Sequence, residues 1–276
     1  SPAEPTATPA PRDTPTQPPP PSPPPGMVFV PAGFFQMGSN SGQPNEQPVH
    51  PVLLDGYFID KTEVTNAAYR NCVAAGACTP AQKADAFTLP GYRDDPAFDN
   101  FPVISVDWDQ ARAFCQFAGK RLPTEAEWEF AARGPQNFTW PWGNSFDANL
   151  SAANSPDVQA VGSFSGGASP FGLLDMAGNV NEWVADTFSP GFYADSPPAN
   201  PANTAGGDHI FRGGSFANPD GAFYTTSRRY TNPRSFSEVD VGFRCAASAP
   251  NAAPPPAVVS EFCSNFNKLK PGVPCP

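Results

Sequence analysis

The sequence predicts a loop-rich domain in which a few helices are set among short strands. Turn residues dominate the central part of the chain, as in Phe101-Pro102, Gly213-Gly214 and the run 218–221 (NPDG). Strong helical periodicity occurs in only two windows, 62–75 and 107–119. The other segments are short and often interrupted by Gly and Pro, so we expect short strands and long loops there.

The two periodic windows carry helix start and stop signals. In the first window, Thr65 is a candidate cap, and Tyr69 and Cys72 share one face. In the second window, Trp108, Ala111, Phe114, Cys115 and Ala118 form one stripe, and Gly119 follows the predicted end. We therefore expect two amphipathic helices that bury these faces.

A third helix is predicted over 125–133 from its capping pattern. Thr124 precedes the helix and Glu127 stands three residues later, which is the spacing of a capping box. Arg121 lies just upstream of the acidic residues Glu125, Glu127 and Glu129. We expect these groups to form ion pairs that hold irregular backbone together, a structural role and not a catalytic one.

Proline divides the chain into three parts. Twelve of the first 25 residues are proline, so residues 1–26 are predicted to be an extended polyproline II arm or linker. The globular domain is expected over 27–247, and residues 248–276 are expected to form a Pro/Ala linker and a short cysteine-containing tail. The arm could serve as a linker, as a glycosylated stalk or as a strand that docks on a neighbouring subunit.

Charge and hydropathy exclude several classes of partner. Lys and Arg number 16 against 26 Asp and Glu, for a net charge of -10, which argues against nucleic acid as the main partner. No apolar run approaches the roughly 20 residues needed to cross a bilayer, so no membrane insertion is expected in this chain. Because the chain begins at Ser1 without a methionine, we expect a processed or excised soluble portion of a protein.

Six cysteines indicate an oxidising compartment. No CxxC pair occurs and the only histidines are His50 and His209, which argues against a zinc site. Cys72 and Cys78 can close a small ring, Cys263 and Cys275 can close another, and Cys115 and Cys245 remain about 130 residues apart. Three disulfides indicate an extracellular or cell-surface location, with the periplasm as the alternative.

Eight motifs then stand in an order that resembles a known family. They are 27–33 (MVFVPAG), 62–66 (TEVTN), 101–108 (FPVISVDW), 120–129 (KRLPTEAEWE), 141–143 (PWG), 178–183 (GNVNEW), 212–215 (RGGS) and 242–245 (GFRC). Together they resemble the formylglycine-generating enzyme, or sulfatase-modifying factor, family. The resemblance implies a single compact α+β domain, irregular and loop-rich, related to C-type lectin folds. The arm and the tail lie outside it.

The resemblance also implies calcium as a cofactor. The family's calcium stretch matches Asp175, Gly178, Val180 and Glu182, which supply two carboxylates and two backbone carbonyls. A second family site matches Asn149 and Leu150, and Asp157 is the candidate for its carboxylate, although the following loop is shorter here.

The family's catalytic chemistry is not matched. The copper-dependent oxidases of the family bind Cu(I) with two cysteines shortly after the Gly-Gly-Ser motif, and Asn218 and Phe223 occupy those positions here. The family's iron-dependent branch uses three histidines, which this chain cannot supply. We therefore expect no copper and assign no catalytic residue.

These observations predict a non-catalytic extracytoplasmic binding or assembly module, with a bacterial source suggested by the lipoprotein-like arm. The ligand would be a protein or a glycan, or further copies of the chain in a surface filament. The candidate binding surface lies where the family binds its peptide and comprises Ser215, Phe216, Asn218, Phe223, Tyr224, Arg228 and Arg229. The alternative is a formylglycine-generating-type oxidase or another enzyme of the family.

Overall fold

The computed structural model describes residues 21–270 and 273–275. Its strands are β1 (Met27–Val30), β2 (Gly33–Met37), β3 (His50–Leu54), β4 (Tyr57–Asp60), β5 (Asn181–Thr187), β6 (His209–Arg212), β7 (Arg229–Asn232), β8 (Val241–Phe243) and β9 (Ala246–Ser248). Its helices are α1 (Asn66–Ala74), α2 (Trp108–Phe117), α3 (Glu125–Arg133), α4 (Phe192–Asp195) and α5 (Pro256–Leu269). The predicted irregular α+β fold with short strands and a few helices is confirmed.

Three small sheets organise the described residues. The first has the order β1-β4-β9, the second pairs β2 with β3, and the third has the order β7-β6-β5-β8. All these pairings are antiparallel except that of β5 with β8. Because β8 and β9 both come from the end of the domain, the sheets join segments that lie far apart in the sequence.

The three predicted helices form, and α1 and α3 begin at the predicted caps; the capping box of α2 was not predicted. Thr65 accepts a hydrogen bond from the backbone N–H of Ala68 at the start of α1. Asp107 with Gln110, and Thr124 with Glu127, close reciprocal capping boxes on α2 and α3. These caps depend on residues three apart, so the local sequence suffices to place the helix starts.

Two buried clusters form most of the core. One joins β1 to β4 with α3 and includes Val30, Phe35 and Trp128. The other lies between α2 and the four-stranded sheet and includes Trp183 and Phe243. The site described below lies on loops that leave this core.

The three disulfides join Cys72 to Cys78, Cys115 to Cys245, and Cys263 to Cys275, the pairs that the sequence predicts. The second bond ties α2 to the segment between β8 and β9 across 130 residues. It therefore crosses the core and joins the middle of the domain to its end.

The segment after the domain is more ordered than the sequence prediction of a linker and tail. Residues 256–269 form α5, and its Phe262 and Phe266 are buried against Leu53 of β3 and Phe34 of β2. Of the predicted polyproline arm, residues 1–20 lie outside the described part of the chain. Within that described part, no helix has the length and apolar character needed to cross a bilayer.

Candidate functional site

A buried network of arginines and glutamates supports the loop after β6. Arg212, fully buried at the end of β6, pairs with Glu125 and Glu129 of α3. Arg229 holds Glu125 at 2.6 Å, and Arg133 holds Glu129 at 2.6 Å. Burial opposes the charge of Arg212, but the two carboxylates outweigh that effect and raise its pKa above the ordinary value. The structural role predicted for the acidic residues of α3 is therefore the one that the structure shows.

Two glycines start the loop because no side chain fits there. Gly213 and Gly214 have φ values of 97° and 72°, which favour glycine. A Cβ on Gly214 would lie 2.7 Å from the carbonyl oxygen of Phe223. The turn is thus closed tightly over residues 215–224.

Asn218 and Phe223, the two positions that the resemblance compares with copper-binding cysteines, help to close this loop. The Asn218 Oδ1 accepts from the backbone N–H of Ser215 at 2.8 Å, and the Asn218 carbonyl accepts from the Tyr224 hydroxyl at 2.8 Å. The Phe223 carbonyl accepts from the Tyr230 hydroxyl at 3.1 Å. An amide and a phenyl ring offer no thiolate, and both residues have contacts that hold the backbone of the loop.

The hydroxyl of Ser215 also fixes the loop. Ser215 is fully buried, and its Oγ donates to Oδ2 of Asp240 at 2.8 Å. The same Asp240 oxygen accepts from Nδ2 of Asn181 at 3.1 Å. The arrangement joins the loop to β5 and to the residue before β8.

Exposed aromatic rings lie along the loop. Phe87 is 70% exposed and its ring centroid is 6.3 Å from that of Phe216, at the start of the loop. Phe146 is 36% exposed and stacks on Tyr224, at the end of the loop, at 5.9 Å. The partly exposed Trp142 lies 6.3 Å from Phe146. We call Phe87, Trp142 and Phe146 the aromatic face; sequence reasoning did not select any of them.

The candidate binding surface from the sequence divides in two. Four of its residues are buried and support the loop instead of forming its exposed surface: Ser215, Phe216, Tyr224 and Arg229. Asn218, Phe223 and Arg228 are partly exposed. Four of the seven predicted surface residues are thus buried, and the exposed aromatic rings come from other loops, which only the fold brings here.

The first predicted calcium stretch is buried beside an arginine. Oδ2 of Asp175 accepts from the backbone N–H of Gly162 at 2.6 Å. The carboxylate of Glu182 accepts from Arg244 at 2.7 Å through each of its oxygens, and from Nε1 of Trp128 at 2.8 Å. Glu182 therefore stands in a buried ion pair, a contact that the sequence did not predict.

Glu63 is a further carboxylate at this place. It is 2% exposed; its Oε1 accepts from Asn179 at 3.0 Å, and its Oε2 is buried without a hydrogen-bond partner among the described residues. Burial, and next the charge of Asp175, raises the pKa of Glu63 well above its ordinary value. Glu63, Asp175 and Glu182 thus interact electrostatically, and the guanidinium of Arg244, which pairs with Glu182, partly offsets their charge. The TEVTN motif contains Glu63, but only the fold brings it to Asp175.

At the second predicted calcium site, the predicted ligands contact neighbouring protein groups. Both oxygens of Asp157 accept hydrogen bonds, Oδ2 from the backbone N–H and hydroxyl of Thr88, and Oδ1 from the N–H of Val158. Asn149 is exposed and bonds to Asp147, while Gly167 covers the carbonyl of Leu150. Asp157 therefore holds the loop that contains Thr88. Nowhere in the described ranges do three or more His, Cys, Asp or Glu side chains form a metal-binding group.

The comparisons with known proteins agree with the fold and the motifs. Residues 13–249 match the family described as the sulfatase-modifying factor enzyme 1-like domain. The formylglycine-generating enzyme of Streptomyces coelicolor is 34% identical, over 81% of this chain and 90% of that protein. The inactive C-alpha-formylglycine-generating enzyme 2 of Bos taurus is 32% identical, over 81% of this chain and 88% of that protein.

A comparison with solved structures agrees with this family match. The structure of Treponema denticola variable protein 1 superposes with a TM-score of 0.67 and 26% identity, covering 81% of this chain and 95% of that one. With the motif order, the fold and the family match in agreement, the chain belongs to the sulfatase-modifying factor enzyme 1-like family.

Proposed function

We propose that the domain is a non-catalytic extracytoplasmic module that binds a protein or glycan ligand through the aromatic face. The observation that carries this proposal is the loop 215–224. Asn218 and Phe223 replace the expected thiolates and close the loop, and exposed Phe87 and Phe146 lie along it. Exposed rings on a rigid support are typical of recognition surfaces, because they contribute contact area with little loss of side-chain freedom.

Three disulfides in the described residues support the extracytoplasmic part of the proposal. The assembly role suggested by the proline-rich arm stays a prediction, since residues 1–20 lie outside the described part.

Calcium at the first predicted stretch is part of the proposal. Burial and the charge of Asp175 oppose ionisation of Glu63, and one oxygen of Glu63 has no hydrogen-bond partner among the described residues. A hard divalent cation prefers oxygen ligands and would favour the charged form of Glu63 beside Asp175 and Glu182. Asp175, Glu182 and the carbonyls of Gly178 and Val180 would hold it, with Glu63 beside them. Bound calcium would supply positive charge that stabilises the loop before β5.

The absence of catalysis is tested by incubating the full chain with Cu(I), oxygen and a peptide that contains Cys-x-Pro-x-Arg. We expect no aldehyde in the peptide by mass spectrometry, because no thiolate is available at positions 218 and 223. The Streptomyces coelicolor enzyme serves as the positive control. Formylglycine formed by this chain would overturn the proposal in favour of the oxidase alternative.

Ligand binding is tested by screening the full chain on glycan and peptide arrays. The double variant Phe87→Ser/Phe146→Ser should lose the bound ligands, with affinity reduced about tenfold or more. Phe117→Ser is the matched control, because Phe117 is 47% exposed but lies on α2. Equal binding by the two variants would contradict a role for the aromatic face.

Calcium binding is tested by thermal unfolding with calcium, magnesium or a chelator. A ligand at a hundred times its dissociation constant stabilises the folded state by about 2.7 kcal/mol, so calcium should raise the melting temperature. Asp175→Asn should abolish this shift, while Asp220→Asn, on the exposed loop, should keep it. Calcium stabilisation that is unchanged in Asp175→Asn would place the ion elsewhere.

A further inference from the structure

A polar cavity lies between the end of α3 and the segment before β7, and none of the three rings of the aromatic face lines it. Its volume is about 200 Å³, and its walls come from the segments 39–46, 133–139 and 222–228. A cavity of this size has room for several water molecules. Ser39, Thr139 and Ser227 are among the residues that line it. The Thr139 hydroxyl donates to Oδ1 of Asn144 at 3.1 Å and keeps its oxygen as an acceptor. The cavity is therefore sized for a small polar molecule.

Charged groups of both signs line the same cavity. Glu46 is 1% exposed, and its Oε2 accepts from the Ser227 hydroxyl at 2.9 Å. Its Oε1 lies 3.7 Å from Nη1 of Arg228, which is too long for a hydrogen bond. Arg133 is 8% exposed, and the Nε atoms of Arg133 and Arg228 are buried without a hydrogen-bond partner in the part of the chain that the structure describes. Nη1 of Arg133 already donates to Glu129 and to the carbonyl oxygens of Gln36 and Gly38. A buried donor without an acceptor is costly, so a ligand acceptor at either Nε would remove that cost.

The charged residues that line the cavity carry a net positive charge. They are the arginines Arg133 and Arg228 and the glutamate Glu46. Two guanidinium groups against one carboxylate make a net charge of +1 in the lining. Arg133 also pairs with Glu129, a carboxylate that it shares with Arg212. The net positive charge of the lining favours a ligand with one negative charge.

We propose that this cavity binds a small hydroxylated carboxylate of the sugar-acid class. The ligand carboxylate would accept from Arg133 and Arg228, and its hydroxyls would bond to Ser39, Thr139 and Glu46. A neutral sugar would leave the arginines without an acceptor. A simple anion would make no hydrogen bonds to Ser39, Thr139 and Glu46. A zwitterion has no net charge and would not neutralise the net charge of +1. The site does not depend on the aromatic face, so it stands or fails apart from the proposed function.

The test is isothermal titration calorimetry of the full chain with D-glucuronate, D-glucose and acetate. D-Glucuronate should bind, and D-glucose and acetate should each bind at least about tenfold more weakly, because each lacks one of the two sets of contacts. No heat from D-glucuronate at millimolar concentration would overturn the proposal. Acetate binding as tightly as D-glucuronate would show an anion site without hydroxyl recognition and would also overturn it.

Variants assign the binding to this cavity. Arg228→Gln should weaken D-glucuronate binding about tenfold to a hundredfold, and Thr139→Val about threefold to tenfold. Arg112→Gln, at a half-exposed arginine on α2, is the matched control and should bind as the native chain does. Unchanged binding by Arg228→Gln, in a variant whose circular dichroism is native, would refute the assignment.

Discussion

Arg212 is a buried guanidinium that connects β6 to α3 and to the segment before β7. It donates to two carboxylates and to the carbonyl oxygens of Thr226 and Ser227. Replacing it by Met removes a partner from each of these groups while leaving them buried. We expect Arg212→Met to lower the free energy of unfolding by about 3–5 kcal/mol, measured by urea denaturation.

An exposed ion pair is the control for this prediction. Lys83 pairs with Glu238, and their side chains are 44% and 46% exposed. Water already solvates both groups, so Lys83→Met should change the free energy of unfolding by less than about 1 kcal/mol. Losses of similar size in the two variants would contradict the importance given to burial.

Asp186 should make stability depend on pH. Burial, and next the charge of Glu125, raises the pKa of its carboxyl from 3.8 to about 7. Because the folded-state pKa exceeds the unfolded-state one, its contribution to stability is full below about pH 4 and is lost as the pH rises to about 7. The limit is about 4 kcal/mol.

The check is urea denaturation of the native chain and Asp186→Asn at pH 4 to 8. The advantage of the native chain over the variant should shrink as the pH rises through this range. Asp220→Asn, at an exposed aspartate, should run parallel to the native chain. A pH-independent difference between the native chain and Asp186→Asn would show that Asp186 keeps an ordinary pKa.

The burial and the distant contacts of individual residues could not be predicted from the sequence. Arg229 was predicted on a binding surface, but it is buried because Glu125, 104 residues earlier, lies opposite it. Glu63 was not selected because its relation to Asp175 depends on contacts such as that with Asn179, 116 residues away. The motifs identify the residue types, whereas the side of a loop that faces solvent depends on distant partners.

At the scale of elements, the disulfide between Cys115 and Cys245 should matter more than the one between Cys72 and Cys78. The first encloses 130 residues and the second only 6. In the chain-entropy model, their removal costs roughly 4–5 and 2 kcal/mol respectively. Paired alanine variants measured by urea denaturation provide the comparison, and an equal loss for the two bonds would contradict the dependence on loop length.

Helix α5 should unfold independently when its anchor is removed. Phe262 is fully buried against β2 and β3, and few other side chains of α5 are buried. Phe262→Ala should therefore speed hydrogen exchange of residues 256–269 and leave the rest of the domain protected. Glu261→Gln, on the exposed side, is the control. Unchanged protection of α5 in Phe262→Ala would show that other contacts hold it.

The elements that the sequence predicts are those with local signals. The starts of α1, α2 and α3 follow from caps within three residues. Helix α5 was missed because Pro255 and Pro256 read as part of a linker, although Val259, Phe262 and Phe266 have helical spacing. Strand β9 could not be placed, because its partner β4 lies almost 190 residues earlier in the chain.

At the scale of the whole molecule, the domain should fold without residues 1–20. The core clusters contain residues from Val30 onward, and Pro24 already accepts from the backbone N–H of Met27. Deleting residues 1–20 should shift the melting temperature by less than about 2 °C. Deleting residues 249–276 should lower it more, because Leu53 is then uncovered. A large loss from the first deletion would show that the arm contributes to the core.

The family and the fold class were predictable because eight motifs recur in order over the domain. The functional site was less predictable from the sequence, because a family resemblance transfers the roles of residues only where the residue types match. At Asn218 and Phe223 they do not match, and only the fold brings Phe87 and Phe146 beside this loop. Function therefore has to be argued from this site and not from the fold.

The sheet β1-β4-β9 determines how the domain would respond to mechanical tension. Strands β1 and β9 both run antiparallel to β4, so the chain enters the sheet beside Asp60 and leaves it beside Tyr57. Once α5 has detached, a pull on both ends would slide β1 and β9 in opposite directions past β4. That motion strains all the hydrogen bonds of both strand pairs together, instead of opening them one by one. The bond between Cys115 and Cys245 would then pass the remaining force into α2.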